Sequence, residues 1–291
     1  NAYASTPEEV MGLAEPLAAA GALYTTHLRT EFAAILDAME EAYRVGKQAR
    51  VPLIISHLKC AGPENGGRAG EVLDSIDAAR RWQPVACDCY PYTAGSTMIR
   101  TDKGMLDGRV LIASSEPHPE CAGRDLADIA AEWGVAKDEA ARRLQPGSAI
   151  YFQMDENDVQ RIMAFDETMI GSDGIPLGDK PHPRLWGTFP RVLGHYSRDV
   201  GLFPLETAVW KMTGLTARNF GLSGRGTLAV GQQADVVLFD PATVRDAANY
   251  TTPTLPAEGI ASVIVNGSIT WADGLHTGAR AGQVVHRIPP P

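Results

Sequence analysis

The hydrophobic pattern of the first ninety residues alternates helical stripes with short β-branched runs. One predicted helix begins at Ser5, a second spans residues 31 to 49 and a third spans Glu71 to Trp82. Of the predicted strands, the first carries His27, the second spans Val51 to Ser56 and the third spans Pro84 to Cys89. Thr6, Pro7 and two following glutamates form a typical helix start, because the hydroxyl caps the first turn and the acids face the positive end of the helix dipole. Three such alternations, each about 30 residues long, predict βαβ units and a parallel sheet.

The regular alternation stops after Tyr90 and returns only near residue 156. Residues 91–167 hold a Gly/Ser/Thr-rich stretch, Tyr92 to Thr97, which predicts a loop, and then short strands and helices. We interpret about 91–167 as an insertion at the top of a barrel. A helix from Glu156 to Phe165 and a strand ending before Asp173 then resume the pattern.

The composition of the sequence changes again at residue 224. Gly224 to Gly231 is rich in glycine, and the β-branched runs beyond it are separated by Asn266-Gly267, a typical hairpin turn. This predicts two domains, a catalytic barrel portion at 1–223 and a small β domain at 224–291. A complete (β/α)8 barrel needs about 250 residues, so the expected α/β fold is either an open barrel or the second half of one.

The amino-acid composition and charge limit the kinds of partner that the protein is expected to bind. The chain has 291 residues, 44% hydrophobic and 21% charged, which is ordinary for a soluble globular protein. A net charge of -9 argues against nucleic acid and anionic membranes as partners and favours a small molecule. Sparse cysteines favour a cytoplasmic protein with packed thiols. With neither an initiator Met nor a signal peptide, we expect the chain to begin within a longer protein.

Two histidines and an aspartate end successive strand-like runs. His27, His57 and Asp173 each follow an apolar run, and the carboxyl ends of parallel strands open on the same face of a barrel. Imidazoles are ligands of Zn²⁺, and a nearby carboxylate can be a ligand or a proton shuttle. The pattern therefore predicts a metal site, although each histidine could instead be a hydrogen-bonded core residue.

Five segments carry a resemblance to a known family. They are Tyr24-Thr-Thr-His27-Leu-Arg29, Ile55-Ser-His57-Leu-Lys59, Tyr90-Pro-Tyr-Thr-Ala-Gly-Ser96-Thr, Gly171-Ser-Asp173-Gly-Ile-Pro176 and His182-Pro-Arg184-Leu-Trp186-Gly-Thr-Phe. Together they resemble the D-aminoacylases, the N-acyl-D-amino-acid deacylase branch of the amidohydrolase superfamily. The tail from Gly226 is also similar to the small β-sandwich domain of that superfamily.

The resemblance implies a zinc enzyme that hydrolyses N-acyl-D-amino acids to a carboxylate and a free D-amino acid. His27, His57 and Asp173 would end the fifth, sixth and eighth strands of a TIM-like barrel. His27, His57 and Asp173 would hold the metal, with the two histidines on the tightly bound zinc, and Asp173 would also be the general base and acid. An HxH pair and a bridging Cys, which the family has and this chain lacks, are expected in an upstream half of the same polypeptide.

Other residues are predicted to bind the substrate. The resemblance places Arg184 at the α-carboxylate, where a guanidinium can form paired hydrogen bonds, with Tyr90 and Ser96 beside it. Lys59 and Arg100 are cations that could meet an acidic substrate side chain, which makes N-acyl-D-glutamate a candidate substrate.

Two alternatives stay open. A cyclic-amide hydrolase similar to dihydropyrimidinase or dihydroorotase would use the same barrel but would not require the Tyr90 and Arg184 arrangement. A non-catalytic binding domain would keep the barrel without a complete metal shell, as the missing HxH allows.

Overall fold

The computed structural model describes residues 4–102, 104–176, 178 and 180–288. The strands are β1 (Tyr24–Thr26), β2 (Leu53–Ile55), β3 (Val85–Cys89), β4 (Ala94–Met98), β5 (Arg109–Ser115), β6 (Gly147–Phe152), β7 (Thr168–Ile170), β8 (Val236–Phe239), β9 (Ile260–Val265), β10 (Ser268–Ala272) and β11 (Leu275–His276). The helices are α1 (Pro7–Ala14), α2 (Ile35–Ala49), α3 (Ala69–Arg80), α4 (Leu126–Trp133), α5 (Lys137–Arg143), α6 (Glu156–Ala164), α7 (Arg184–Arg191), α8 (Leu205–Met212) and α9 (Gly214–Phe220), and a π-helical segment, Val192–Asp199, continues α7.

The predicted parallel sheet is confirmed. Its strands lie in the order β1-β2-β3-β7, and all three pairings are parallel. Strands β2 and β7 are buried at every position, which is typical of a sheet covered on both faces. Helices α2, α3 and α6 cover one face, where Met39, Ile76 and Met163 join the main hydrophobic core.

The first helix forms as its sequence predicts, whereas the second begins later. Thr6 Oγ1 accepts the Glu9 backbone N–H, and the Glu9 carboxylate accepts the N–H of Thr6, a complete capping box. Helix α2 starts at Ile35, so the predicted start at residue 31 is wrong. The carbonyl of Glu31 accepts the Ala61 N–H at 2.8 Å, a long-range bond that keeps residue 31 out of the helix.

The segment between β3 and α6 forms a second sheet with its own core. Strands β4, β6 and β5 pair antiparallel in that order and pack on α4 and α5 through residues such as Ile112 and Leu126. The predicted loop from Tyr92 to Thr97 is wrong, because its second half belongs to β4. Glycine, serine and threonine extend there because the backbone of β6 supplies partners, as in Ala94 opposite Phe152.

The C-terminal strands form an antiparallel sheet in the order β11-β10-β9-β8. Asn266 and Gly267 both have positive φ values, 47° and 79°, which confirms the predicted hairpin turn between β9 and β10. Val244 is fully buried in the core of the parallel sheet, so this region packs on the rest of the chain. Among the described residues, no helix has the length and apolar character needed to cross a bilayer.

Candidate metal and substrate site

A cavity of about 640 Å³ opens at the carboxyl ends of the parallel strands. Every residue that the sequence predicts for the site lines this cavity: His27, His57, Lys59, Tyr90, Ser96, Arg100, Asp173 and Arg184. These side chains come from strand ends and the loops after them, from strand β4 and from the start of helix α7. The topology thus brings together residues that lie up to 157 positions apart, from 27 to 184.

The two histidines face each other across adjacent strand ends. His27 directly follows β1, and its Nδ1 lies 2.9 Å from Nε2 of His57. His57 has a left-handed backbone, with φ of 43°, and its N–H donates to Asp88 Oδ1 at 2.9 Å. Burial raises the pKa of Asp88. The turn at His57 directs its ring toward His27 and away from the strand axis.

Glu31 is a site residue that the sequence prediction missed. Its Oε1 lies 3.0 Å from His57 Nδ1 and 2.5 Å from Lys59 Nζ. Burial would raise the pKa of Glu31, but the Lys59 ammonium and the His57 hydrogen bond lower it to about 2. Apart from its position four residues after His27, in His-Leu-Arg-Thr-Glu, the sequence carries no signal that marks it.

These donors suit a transition-metal ion. Within the described part of the chain, potential ligand atoms of His27, Glu31 and His57 all lie within 4.8 Å of one another. Imidazole nitrogens with a carboxylate are a typical donor set for zinc. Burial lowers the pKa of His27, which favours the neutral imidazole that a metal requires. The two facing ring nitrogens are the best-placed pair for one ion.

Asp173 lines the same cavity as the histidines but is outside this three-residue group. It follows β7 with a left-handed φ of 47°, and its Oδ2 lies 2.8 Å from Arg184 Nη2. Its side chain is 34% exposed to the cavity opening. Asp173 therefore pairs with Arg184 and remains accessible from the cavity.

Arg184 opens helix α7 and is 1% exposed. Its guanidinium carbon lies 4.5 Å from the centre of the Tyr90 ring, and its Nη2 also approaches the Ser96 carbonyl at 3.4 Å. Among the described residues, Arg184 Nε, Arg184 Nη1 and the Tyr90 hydroxyl have no hydrogen-bond partner although all three are buried. Burial also raises the pKa of Tyr90, so its hydroxyl stays a donor. Buried donors of this kind fit an anionic ligand.

His182 supports Arg184 from behind. Its Nδ1 accepts the Arg184 backbone N–H at 3.0 Å, and its Nε2 donates to the Ala94 carbonyl at 2.9 Å. Burial lowers the pKa of His182 well below its ordinary value, so the ring is neutral and can play both roles. The histidine thereby ties the start of helix α7 to strand β4.

The two cations predicted to meet an acidic substrate already have carboxylate partners. Lys59 Nζ contacts Glu31, and Arg100 pairs with Asp102 in the loop after β4. Ser96 lies within β4, with its backbone in register with Ile150.

The fold and site define the class of protein. The Amidohydrolase family matches residues 100–271, and the chain belongs to that family. A D-aminoacylase from Alcaligenes xylosoxydans xylosoxydans is 56% identical over 283 residues, covering 97% of this chain and 58% of the relative. The predicted resemblance to the D-aminoacylases is confirmed.

Solved structures give the same result. An N-acyl-D-glutamate deacylase from Bordetella bronchiseptica, solved with zinc and a phosphonate inhibitor that mimics the tetrahedral intermediate, matches with a TM-score of 0.92 and 46% identity, covering 97% of this chain and 59% of that one. An L-hydantoinase (dihydropyrimidinase) from Arthrobacter aurescens matches with a TM-score of 0.58 at 16% identity, covering 97% and 64%, which shows the fold alone. The chain spans less than two thirds of the length of each relative.

Proposed function

We propose that the protein containing this chain hydrolyses N-acyl-D-amino acids, releasing a carboxylate and a free D-amino acid. The observation that carries the proposal is the pairing, in one cavity, of the His27 and His57 nitrogens with the buried Arg184 and Tyr90 donors. An amide substrate with an α-carboxylate needs both features at once. The similarity to a D-aminoacylase and to a zinc-bound deacylase supports the same reaction.

We assign zinc to His27 and His57. When bound there, the ion supplies a Lewis acid and lowers the pKa of water at the site. The protein's part is to orient the imidazoles, and the contacts of Asp88 with the His57 backbone N–H and of Glu31 with the His57 ring favour this. The remaining ligands, an HxH pair and a bridging cysteine, would come from an upstream half of the same polypeptide.

Asp173 is the general base and acid in this proposal. Its carboxylate takes a proton from the attacking water and passes it to the departing amine, which is a poor leaving group as an anion. The contact with Arg184 at 2.8 Å holds Asp173 in place. Arg184 retains Nε and Nη1 as donors for the α-carboxylate, and the Tyr90 hydroxyl adds a third.

The fold proposal follows from the same relatives. The four-stranded parallel sheet would be strands five to eight of a distorted (β/α)8 barrel, within a catalytic portion at 1–223 that carries an insertion at about 91–167. Residues 224–291 would form the small β-sandwich domain. The sparse, buried free thiols support a cytoplasmic protein.

A substrate panel tests the function. The purified whole protein with zinc should hydrolyse N-acetyl-D-leucine, with little turnover of the L-isomer or of hydantoin and dihydropyrimidine rings. Chelation should abolish the activity, and added zinc should restore it. Preferential ring opening would favour the cyclic-amide alternative, and an inactive protein that contains no zinc would favour a binding domain.

A further inference from the structure

The cluster of Glu31, His57 and Lys59 does more than line the cavity. Since Glu31 lies beside a predicted zinc ligand, it is either a third ligand or a support for His57. We propose that Glu31 is a positioning residue that fixes the tautomer of His57 and thereby frees His57 Nε2 for the metal. This inference rests on the proposed metal site.

The position of Lys59 argues against Glu31 as a ligand. The ammonium nitrogen lies 2.5 Å from Glu31 Oε1 and 2.9 Å from His57 Nδ1, on the Nδ1 side of the ring. A metal bound to Glu31 on that side would meet a buried positive charge. The other ring nitrogen, Nε2, faces His27 Nδ1 at 2.9 Å, on the opposite edge of the imidazole. The metal side and the Glu31 side of His57 are therefore separate.

His57 Nδ1 has two neighbours with opposite requirements. A carboxylate can only accept a hydrogen bond, whereas an ammonium can only donate one. If Nδ1 carries the proton and donates to Glu31, then Nε2 keeps its lone pair and can bind metal. If Nδ1 instead accepts from Lys59, then Nε2 carries the proton and is closed to metal.

Glu31 favours the tautomer with the proton on Nδ1 in two ways. Its Oε1, 3.0 Å from Nδ1, can accept a hydrogen bond from the Nδ1–H, and it also accepts one from the Lys59 ammonium, which lies beside the same nitrogen. Lys59 Nζ has a further acceptor in the His57 carbonyl at 2.8 Å, so it does not need Nδ1. Removing the carboxylate leaves Lys59 as the charged neighbour of Nδ1, and the other tautomer should follow.

The first measurement reads the tautomer directly, without metal or activity. The whole protein is labelled with 15N-histidine, stripped of metal and studied by long-range 1H–15N NMR, with His57→Gln used to assign the signal. The wild type should carry its proton on Nδ1, and Glu31→Leu, which has no acceptor, should carry it on Nε2. An unchanged tautomer in Glu31→Leu would overturn the proposal. Glu31→Ala, which also removes the acceptor, serves if the Leu variant does not fold.

The second measurement is zinc affinity by chelator competition. Glu31→Leu should weaken zinc binding by about 10–100-fold, as loss of such a supporting carboxylate does elsewhere. The double variant Glu31→Leu/Lys59→Met removes the competing donor as well, so it should recover most of that affinity. A merely structural role for Glu31 predicts no recovery, and a double variant as weak as Glu31→Leu would overturn the inference.

The control is Lys59→Met alone, which should bind zinc no more weakly than the wild type because Glu31 still accepts the Nδ1 proton. A large loss in this variant would contradict the proposal. If the wild type binds no zinc, the proposed function fails, yet the NMR experiment still decides whether Glu31 sets the tautomer. The two failures are therefore distinguishable.

Discussion

The two ends of the cavity differ in how their polar groups are satisfied. At the histidine end, His57, Lys59 and Glu31 form a closed set of hydrogen bonds in which each group has an internal partner. At the adjoining Arg184 end, where the centre of the Tyr90 ring lies 5.5 Å from Lys59 Nζ, Arg184 Nε and Nη1 and the Tyr90 hydroxyl are buried with no partner among the described residues. The first end satisfies its own polar groups, whereas the second has buried donors to offer, and we call it the ligand end.

This difference has an energetic meaning. A buried donor without an acceptor costs about 1–3 kcal/mol, and more when it is charged. The buried donors of Arg184 and Tyr90 carry this cost although the neighbouring polar groups have hydrogen-bond partners. Such local conflicts occur mainly at functional sites. An anionic ligand supplies acceptors for such donors, so we expect binding energy to concentrate at this end. At the histidine end, the proposed metal site instead requires fixed orientation of the imidazoles.

The largest expected effect is at Asp173, which joins the two ends. Asp173→Asn keeps the shape but cannot accept the proton from water, so kcat should fall by about 10²–10⁴-fold. Steady-state hydrolysis of N-acetyl-D-leucine measures this, and zinc content determined on the same sample excludes loss of metal. Wild-type kcat in a zinc-loaded variant would remove Asp173 from the proposed mechanism.

A smaller effect is expected at the ligand end. Arg184→Met should lower kcat/KM for N-acetyl-D-leucine by about 10–100-fold, corresponding to about 1.5–3 kcal/mol for a charged hydrogen-bonded contact, mainly through KM. Arg184→Lys should recover little of this, because an ammonium cannot form the planar fork.

The matched control for Arg184 is the substrate rather than the protein. N-acetyl-D-leucinamide lacks the carboxylate, so Arg184→Met should change its turnover much less than that of the acid. Equal losses on both substrates would show that Arg184 acts through Asp173, its partner at 2.8 Å, and would weaken the contrast between the two ends.

The parts of the site that follow strand ends could be predicted from sequence. His57 and Asp173 follow β2 and β7, which are apolar runs that form buried parallel strands, and His27 follows β1, a partly exposed strand that pairs in parallel with β2. The carboxyl ends of these strands share one face. The capped start of α1 depends only on neighbouring residues and is equally readable. The substrate-binding role of Arg184 came from family resemblance, since its burial cannot be read from local sequence.

The parts that depend on long-range pairing could not be predicted. Glu31 lies at the start of an amphipathic stripe and looks like a helical residue, but a bond between its carbonyl and the Ala61 N–H holds it at the site. Strand β4 contains Gly95 and two hydroxyl residues, a composition typical of loops, and it is extended because β6 pairs with it. Such contacts between distant segments leave no local pattern.

A change in folding stability is expected from a substitution at Gly171, next to the Asp88 carboxylate. A Cβ on Gly171 would lie 3.0 Å from Asp88 Oδ1, the acceptor of the His57 N–H. Gly171→Ala should therefore displace Asp88 and lower the free energy of unfolding by about 1–3 kcal/mol, as overpacking of a buried site does. Denaturant unfolding measures the change.

Gly12→Ala is the control, because a Cβ at that position in α1 meets nothing within 4 Å. It should stabilise the protein by up to about 1 kcal/mol through helix propensity. Equal effects of the two substitutions would show that Asp88 moves freely, so that the turn at His57 is not held rigidly.

The smallest expected effect concerns side-chain preference. Asp102, with a side chain 52% exposed, pairs with Arg100 at the cavity wall and offsets its charge. Asp102→Asn should raise the ratio of kcat/KM for N-acetyl-D-glutamate over N-acetyl-D-leucine by up to about fivefold, since an exposed ion pair contributes at most about 1 kcal/mol. Adding Arg100→Met should cancel the gain, because no guanidinium would then face the acidic substrate. If the ratio stays constant in Asp102→Asn, then Arg100 does not reach the substrate side chain, and selectivity arises elsewhere on the cavity wall.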